Sequence, residues 1–227
     1  MSERLIAIGD IHGNIKVLNM ILEAIDPQPQ DTLVFLGDFC NRGDTKSVIE
    51  ALMDVSKKCK THFIMGNHEE MILQAYQGGT SEFNFFCKFG GIQTLASYGI
   101  GHIKDMPHDH IRFIIDTVDY VETDEFIFVH AGYHSQLPLN QTSPQDLRWQ
   151  GLVPNQPKHM SGKTVVCGHT CQKQVFDAGH LLCIDTGCGV WVGGRLTAID
   201  VNSGTIWQAG NQNKRANVRH RDTIKKK

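Results

Sequence analysis

Three times in the first third of the chain, a short apolar run ends at a glycine and gives way to apolar residues at helical spacing. Residues 5–8 end at Gly9-Asp10, and Ile15, Leu18, Leu22 and Ile25 then recur every three or four positions up to Asp26-Pro27. The run over 32–36 ends at Gly37-Asp38, and Val48, Leu52 and Val55 give the next helix its apolar face. A third run, 62–65, ends at Gly66-Asn67-His68-Glu69 and leads into a helix through Met71, Ile72 and Ala75. Three β-loop-α units in series predict an α/β fold with a parallel sheet covered on both faces.

Beyond residue 78 the pattern changes. Phe83, Phe86, Phe89, Ile92, Leu95 and Tyr98 fall near helical spacing and predict a helical insertion over 78–107, its aromatics serving as core. Ile111, Ile114, Ile115 and Val118 predict one more amphipathic helix, followed by a strand over 126–129 that ends at His130-Ala131-Gly132. Residues 133–160, with Pro138, Pro144, Pro154 and Pro157, form a long loop-rich stretch of the kind that faces substrate. Short strands are expected at 164–166, 181–184, 196–199 and 205–207.

Composition narrows the class. With 227 residues, 41% of them hydrophobic, the chain has the size and apolar content of one globular domain, read as residues 1–213. The net charge of −2 hides an asymmetry, because residues 214–227 carry seven Lys/Arg against one acid. This end is expected to be a flexible, solvated basic tail, and the acidic body offers no nucleic-acid-binding face. No apolar run reaches the ~18–20 residues of a membrane span, and no leader precedes the first strand, so a cytoplasmic protein is expected. Seven cysteines in mostly apolar surroundings suit reduced, buried thiols.

Twelve histidines are many for this length, and several of them are placed rather than scattered. Asp10 and His12 follow the first strand, Asp38 the second, Asn67 and His68 the third, while His130 and His169 follow two later ones. In an open α/β sheet the loops after the carboxyl ends of parallel strands converge on one edge. Mixed oxygen and imidazole donors suit borderline divalent metals such as Mn, Fe, Zn, Co or Ni. Six donors exceed the needs of one open ion but fit two ions sharing a carboxylate, a device for displacement at phosphorus.

Gly9-Asp10-Ile11-His12-Gly13, Gly37-Asp38-Phe39-Cys40-Asn41-Arg42-Gly43 and Gly66-Asn67-His68-Glu69 resemble the three signature blocks of the calcineurin-like metallophosphoesterases. Val129-His130-Ala131-Gly132 and Gly168-His169-Thr170 resemble the two downstream histidine blocks, and the whole set is most similar to the phosphoprotein phosphatase branch, in particular the compact bacterial and bacteriophage lambda-type enzymes. The resemblance implies a central β-sandwich flanked by helices, with a dinuclear site at the strand ends and Mn as the expected metal. Asp10 and His12 would hold one ion, Asp38 would bridge, and Asn67, His130 and His169 would complete the second. A water shared by the ions would attack phosphorus in line, with His68 as general acid and Arg42 holding phosphoryl oxygens. The implied substrate is a phosphorylated protein, on serine or threonine and by extension tyrosine, or a small phosphate ester.

Two positions depart from the phosphatase pattern. Asn41 stands where an Asp usually orients the catalytic histidine; its amide is expected to accept a hydrogen bond from the ring and adds no charge. Gly151 stands where a phosphate-binding arginine is usual, which makes Arg148 the substitute candidate. The alternatives are a dinucleoside tetraphosphate hydrolase of the same superfamily, whose leaving group needs little protonation, and a metal-binding scaffold with little turnover.

Overall fold

A computed structural model of the chain describes residues 3–153 and 155–223. In order, it contains β1 (Leu5–Ile8), α1 (Ile15–Ile25), β2 (Thr32–Phe35), α2 (Thr45–Val55), β3 (Lys60–Phe63), α3 (Asn67–Gln77), α4 (Thr80–Phe86), α5 (Ile92–Tyr98) and α6 (His108–Ile115). There follow β4 (Tyr120–Glu122), β5 (Phe126–Val129), α7 (Pro144–Trp149), β6 (Thr164–Cys167), β7 (Phe176–Asp177), β8 (Leu181–Cys183), β9 (Leu196–Asp200), β10 (Thr205–Ala209) and β11 (Asn217–His220).

Two sheets face each other. One has the order β11-β10-β9-β1-β2-β3 and the other β4-β5-β6-β8-β7. Each strand in the middle alternates its side chains between two apolar layers. Ala7 and Val34 point with Phe128, Val166, Leu182 and Ile199 into the space between the sheets. Their neighbours Ile6, Ile8, Leu33 and Phe35 point the other way, onto Leu18 and Ile21 of α1 and Ile49 and Leu52 of α2. The outer face of the second sheet, with Ile127, Val129 and Val165, is closed by Tyr133, Leu139 and Leu147 from the proline-rich stretch. The sandwich flanked by helices is therefore the observed architecture.

Local chemistry sets the element ends. Asp44 caps α2 by accepting from the Ser47 N–H at 3.0 Å, and Ser143 caps α7 ahead of Pro144. Between α4 and α5 the helical insertion turns sharply, because Gly90 takes a left-handed conformation (φ 101°) against the backbone of Arg42.

The three β-loop-α units form the parallel run β1-β2-β3, as expected, and β9, β10 and β11 extend that sheet antiparallel, β9 lying against β1. Two expectations need correction. Val118 does not extend α6, which ends at Ile115, but bridges Ile64 at the edge of β3. The basic end is not a free tail from residue 214: residues 217–220 form β11 on the open edge of β10, where pairing is made by main-chain groups whatever the side chains, and Arg219 is half-buried there. Arg221 next to it makes two hydrogen bonds to Asp177 of β7, at 2.7 and 2.8 Å, joining the two sheets. Residues 224–227 of the expected tail lie outside the described residues. All seven cysteines are free thiols, and among the described residues no helix is long and apolar enough to cross a membrane.

Candidate metal centre

The loops after β1, β2, β5 and β6 and the first turn of α3 after β3 meet at one end of the sandwich. Asp38 is the hub. Its Oδ2 lies 3.9 Å from His12 Nε2 and 3.9 Å from His68 Nε2, and its Oδ1 lies 3.3 Å from His130 Nε2. Asp38, His130 and His169 present donor atoms within 4.8 Å of one another, as do His12, Asp38 and His68. Asp10 enters from behind, its carboxylate accepting the His169 N–H at 3.1–3.2 Å, while Asn67 Oδ1 sits 3.1 Å from both His130 Nε2 and His169 Nδ1. All six expected donors thus come together. His68 joins them from the first turn of α3.

The imidazoles are aimed. His130 donates from Nδ1 to the Leu36 carbonyl at 2.8 Å, and His169 donates from Nε2 to the Trp149 carbonyl at 3.1 Å. Each backbone oxygen fixes a tautomer whose free lone pair faces the centre, as a metal-ligating histidine requires. Burial keeps both rings neutral, holding each down to about 4, the second also through its neighbour His130. Burial, then the Arg42 charge, holds His12 to about 3. For the carboxylates burial works the other way. It pushes Asp38 up to about 8, and burial together with Asp185 and Asp38 raises Asp10 well above the usual range. Two carboxylates crowded against neutral imidazoles call for positive charge.

Asn67 provides a test of fit. Its side-chain oxygen faces acceptors alone: His130 Nε2, His169 Nδ1 and both oxygens of Asp38, at 3.1–3.2 Å. Turning the amide over would place its N–H groups there, whereas an oxygen in that position needs a cation among the lone pairs. The backbone also leaves room for the donors. A Cβ on Gly66 would fall 2.2 Å from Asp38 Oδ1, and one on Gly168 would fall 2.1 Å from Asp10 Oδ1. Five site residues, His12, Asp38, Asn41, Arg42 and His169, hold the left-handed conformation at φ 50–63°, a strain of about 1 kcal/mol or more each that the surrounding fold must hold in place.

Some supporting residues escaped the sequence reading. Glu69, fully buried, accepts from the N–H groups of Asp38, Cys40 and Gly66 at 2.7–3.0 Å and ties two ligand loops to α3. Its place inside the Gly66–Glu69 block was the available signal. Asp185, at the end of β8, accepts from the Gly187 N–H at 2.8 Å and from the Cys171 thiol at 2.9 Å. Its signal was the same strand-end position that singled out the ligands.

The substrate-facing candidates fare differently. Arg42 is exposed at the mouth of the site; its charge bears on His12 and His68, and among the described residues it makes no ion pair. Asn41 lies behind His68, its Nδ2 3.0 Å from the ring Nδ1. Arg148 does not reach the centre: its guanidinium pairs with Glu70 at 2.6 Å and with Asp119 at 2.5 Å, and the Trp149 indole bonds to the same Glu70. Held there, it positions the Trp149 carbonyl on His169. The rim is apolar. Phe85, Phe89 and Trp149 cluster on one side, with ring centroids 4.7 and 6.4 Å apart, and the exposed Trp191 and Val192 follow the Gly189 turn that packs on His12.

An α/β sandwich whose strand ends bring carboxylates, an amide and neutral imidazoles to one point has the donor set of a divalent-metal site. The family model for calcineurin-like phosphoesterases matches residues 3–202, and the chain belongs to that family, which makes it a phosphoric ester hydrolase. No curated protein matches the sequence. Among solved structures it is similar to a putative diadenosine tetraphosphatase (20% identity, TM-score 0.71, 94% of this chain and 96% of that one). It is also similar to a cold-active protein-tyrosine phosphatase of a psychrophilic Shewanella species (16%, 0.65, 92% and 78%) and to a protein serine/threonine phosphatase of Saccharomyces cerevisiae (15%, 0.60, 98% and 81%). At these identities the likeness is one of fold.

Proposed function

We propose that the chain is a divalent-metal-dependent phosphatase that hydrolyses phosphomonoesters on proteins. The convergence of Asp10, His12, Asp38, Asn67, His130 and His169 on one point, with His68 buried beside Asp38 and Arg42 at the mouth, carries this reading. Asp10, His12 and Asp38 would hold one ion and Asp38, Asn67, His130 and His169 a second, with Mn the first metal to try. Two ions there supply charge to the phosphoryl oxygens and acidify water.

The chain's own residues do the rest. Arg42 presents a planar fork to two phosphoryl oxygens. Water bonds to phosphorus as the ester P–O bond opposite it breaks, leaving phosphate and an alcohol or phenol. His68 turns Nε2 toward that leaving oxygen, and the apolar rim of Phe85, Phe89, Trp149 and Trp191 gives a peptide something to lie on. The cytoplasm remains the proposed compartment.

A second reading, hydrolysis of a dinucleoside tetraphosphate, is favoured by Asn41 and by a fold that matches a putative diadenosine tetraphosphatase along nearly its whole length. The test is a panel with Mn present: phosphoserine, phosphothreonine and phosphotyrosine peptides, p-nitrophenyl phosphate and diadenosine tetraphosphate. Turnover of the phosphotyrosine peptide well above the dinucleotide is expected. The reverse order moves the assignment to the nucleotide, and no turnover with Mn, Co, Ni, Zn or Fe leaves a metal-binding scaffold.

A further inference from the structure

Behind His68 runs a buried polar chain that no metal requires. Thr45 Oγ1 lies 2.9 Å from Thr94 Oγ1, Thr94 Oγ1 lies 2.8 Å from Asn41 Oδ1, and Asn41 Nδ2 lies 3.0 Å from His68 Nδ1. Thr45, Thr94 and Asn41 are wholly buried and His68 is 3% exposed. The members come from the start of α2, the middle of α5, the loop after β2 and the start of α3, so the helical insertion reaches the site through Thr94 alone of these four. We propose that Thr94, acting with Thr45 through Asn41, is a positioning residue that fixes the neutral His68 ring with its proton on Nε2, facing the site.

The direction of the chain follows from counting donors and acceptors. Thr45 Oγ1 already accepts the Asn41 backbone N–H at 2.9 Å. Its own hydroxyl proton has, among the described residues, one acceptor within reach, Thr94 Oγ1. Thr94 therefore receives from Thr45 and gives its proton to Asn41 Oδ1. That turns the amide oxygen toward Thr94 and the NH2 group toward His68. An NH2 group can only donate, so Nδ1 accepts and the ring proton stands on Nε2. Running the chain backwards would leave the Thr45 proton buried without an acceptor, a costly defect in a closed polar network. The sequence expectation is thus turned round: Asn41 donates to the ring.

The consequence is a preference among leaving groups, and it rests on the phosphoester hydrolase reading. A neutral imidazole donating from Nε2 stabilises a departing oxyanion by a hydrogen bond. It does not hand the proton over, because that would leave an imidazolate; the leaving group collects its proton from solvent afterwards. Weakly basic leaving groups, the phenoxide of an aryl ester or a phosphate of an anhydride, are served well, and the alkoxide of serine or threonine poorly. An aspartate at position 41 can only accept, so Nδ1 would carry a proton, and its charge would let Nε2 carry one as well, a ring able to hand a proton to an alkoxide.

The test measures the ring itself. Two-bond 1H–15N spectra of the full chain loaded with zinc, which is diamagnetic, distinguish protonated from unprotonated ring nitrogens. His68 is expected to show an unprotonated Nδ1 and a protonated Nε2. Thr94→Val removes the donor to Asn41 and should mix the two tautomers, while kcat on p-nitrophenyl phosphate falls by about tenfold at unchanged KM; Thr94→Ser should restore both. Asn41→Asp should place a proton on Nδ1 as well as on Nε2 and raise the ratio of alkyl to aryl phosphate turnover. If Thr94→Val does not fold, Thr45→Val breaks the chain one link further back and should mix the tautomers in the same way. A wild-type His68 protonated on Nδ1, or a folded Thr94→Val with wild-type tautomer and turnover, overturns the proposal. Nε2 protonation that depends on Thr94 in a protein inactive on every substrate would overturn the hydrolase reading and leave the positioning role standing.

Discussion

Asp38 touches both halves of the site, since its two oxygens face different histidines. Replacing it with Asn removes the shared charge and is expected to lower kcat to a few per cent of wild type or less, with loss of bound metal, measured by p-nitrophenyl phosphate turnover and metal analysis. Arg42 stands in solvent with no ion pair among the described residues, so Arg42→Ala should cost binding and not folding. A KM raised by about 10–100-fold with an unchanged melting temperature is the expected result, from a lost charge-assisted bond of about 1.5–3 kcal/mol. At this scale the donors were legible because ligand chemistry and strand-end position coincide in one short word such as Gly-Asp-Ile-His. Thr94 and Glu69 were not. A threonine at a helical core position reads as any small buried residue, and its meaning depends on a partner 53 positions away.

Among the elements, α3 and α7 are linked by a charge cluster the sequence did not show. Arg148 of α7 meets Glu70 of α3 and Asp119 ahead of β4, three residues scattered over 78 positions. Its side chain is only 16% exposed, so the pairs lie in partly desolvated surroundings where breaking them has a cost. Arg148→Met is expected to lower the melting temperature and to weaken metal binding by about 10–100-fold through the Trp149 carbonyl that orients His169. A raised KM with metal affinity intact would instead return Arg148 to the phosphoryl group. Helices α1, α2 and α3 were read from spacing because a strong apolar stripe survives any context. Strands β4, β7 and β11 were missed because two to four residues on a sheet edge carry no periodic signal, and partner strands decide them.

For the molecule as a whole, stability depends on pH through Asp31. Burial alone would raise its pKa, but the Arg4 guanidinium and the Gln28 N–H at 2.7 Å hold it below the ordinary carboxylate value. A depressed folded pKa means that the contribution is complete above about pH 4, the unfolded value, and is lost as pH falls through the lower folded value. Asp31→Asn should therefore cost about 1–3 kcal/mol at neutral pH in urea unfolding and little at the acid end of that window. Removing residues 214–227 should lower the melting temperature, since it uncovers the β10 edge and deletes the Arg221–Asp177 link between sheets, while kcat on p-nitrophenyl phosphate stays near wild type.

The donors are divided between the two sheets: Asp10, His12, Asp38 and Asn67 follow strands of one, His130 and His169 strands of the other. An ion that draws on both sets clamps the leaves of the sandwich together at that end. Occupancy then becomes a mechanical property of the protein. By mass action a hundredfold excess of free metal over its Kd adds about 2.7 kcal/mol to folding, and a chelator takes the same amount away. The melting curve of this chain, recorded against free metal concentration, is thus a binding isotherm for a seam between two sheets.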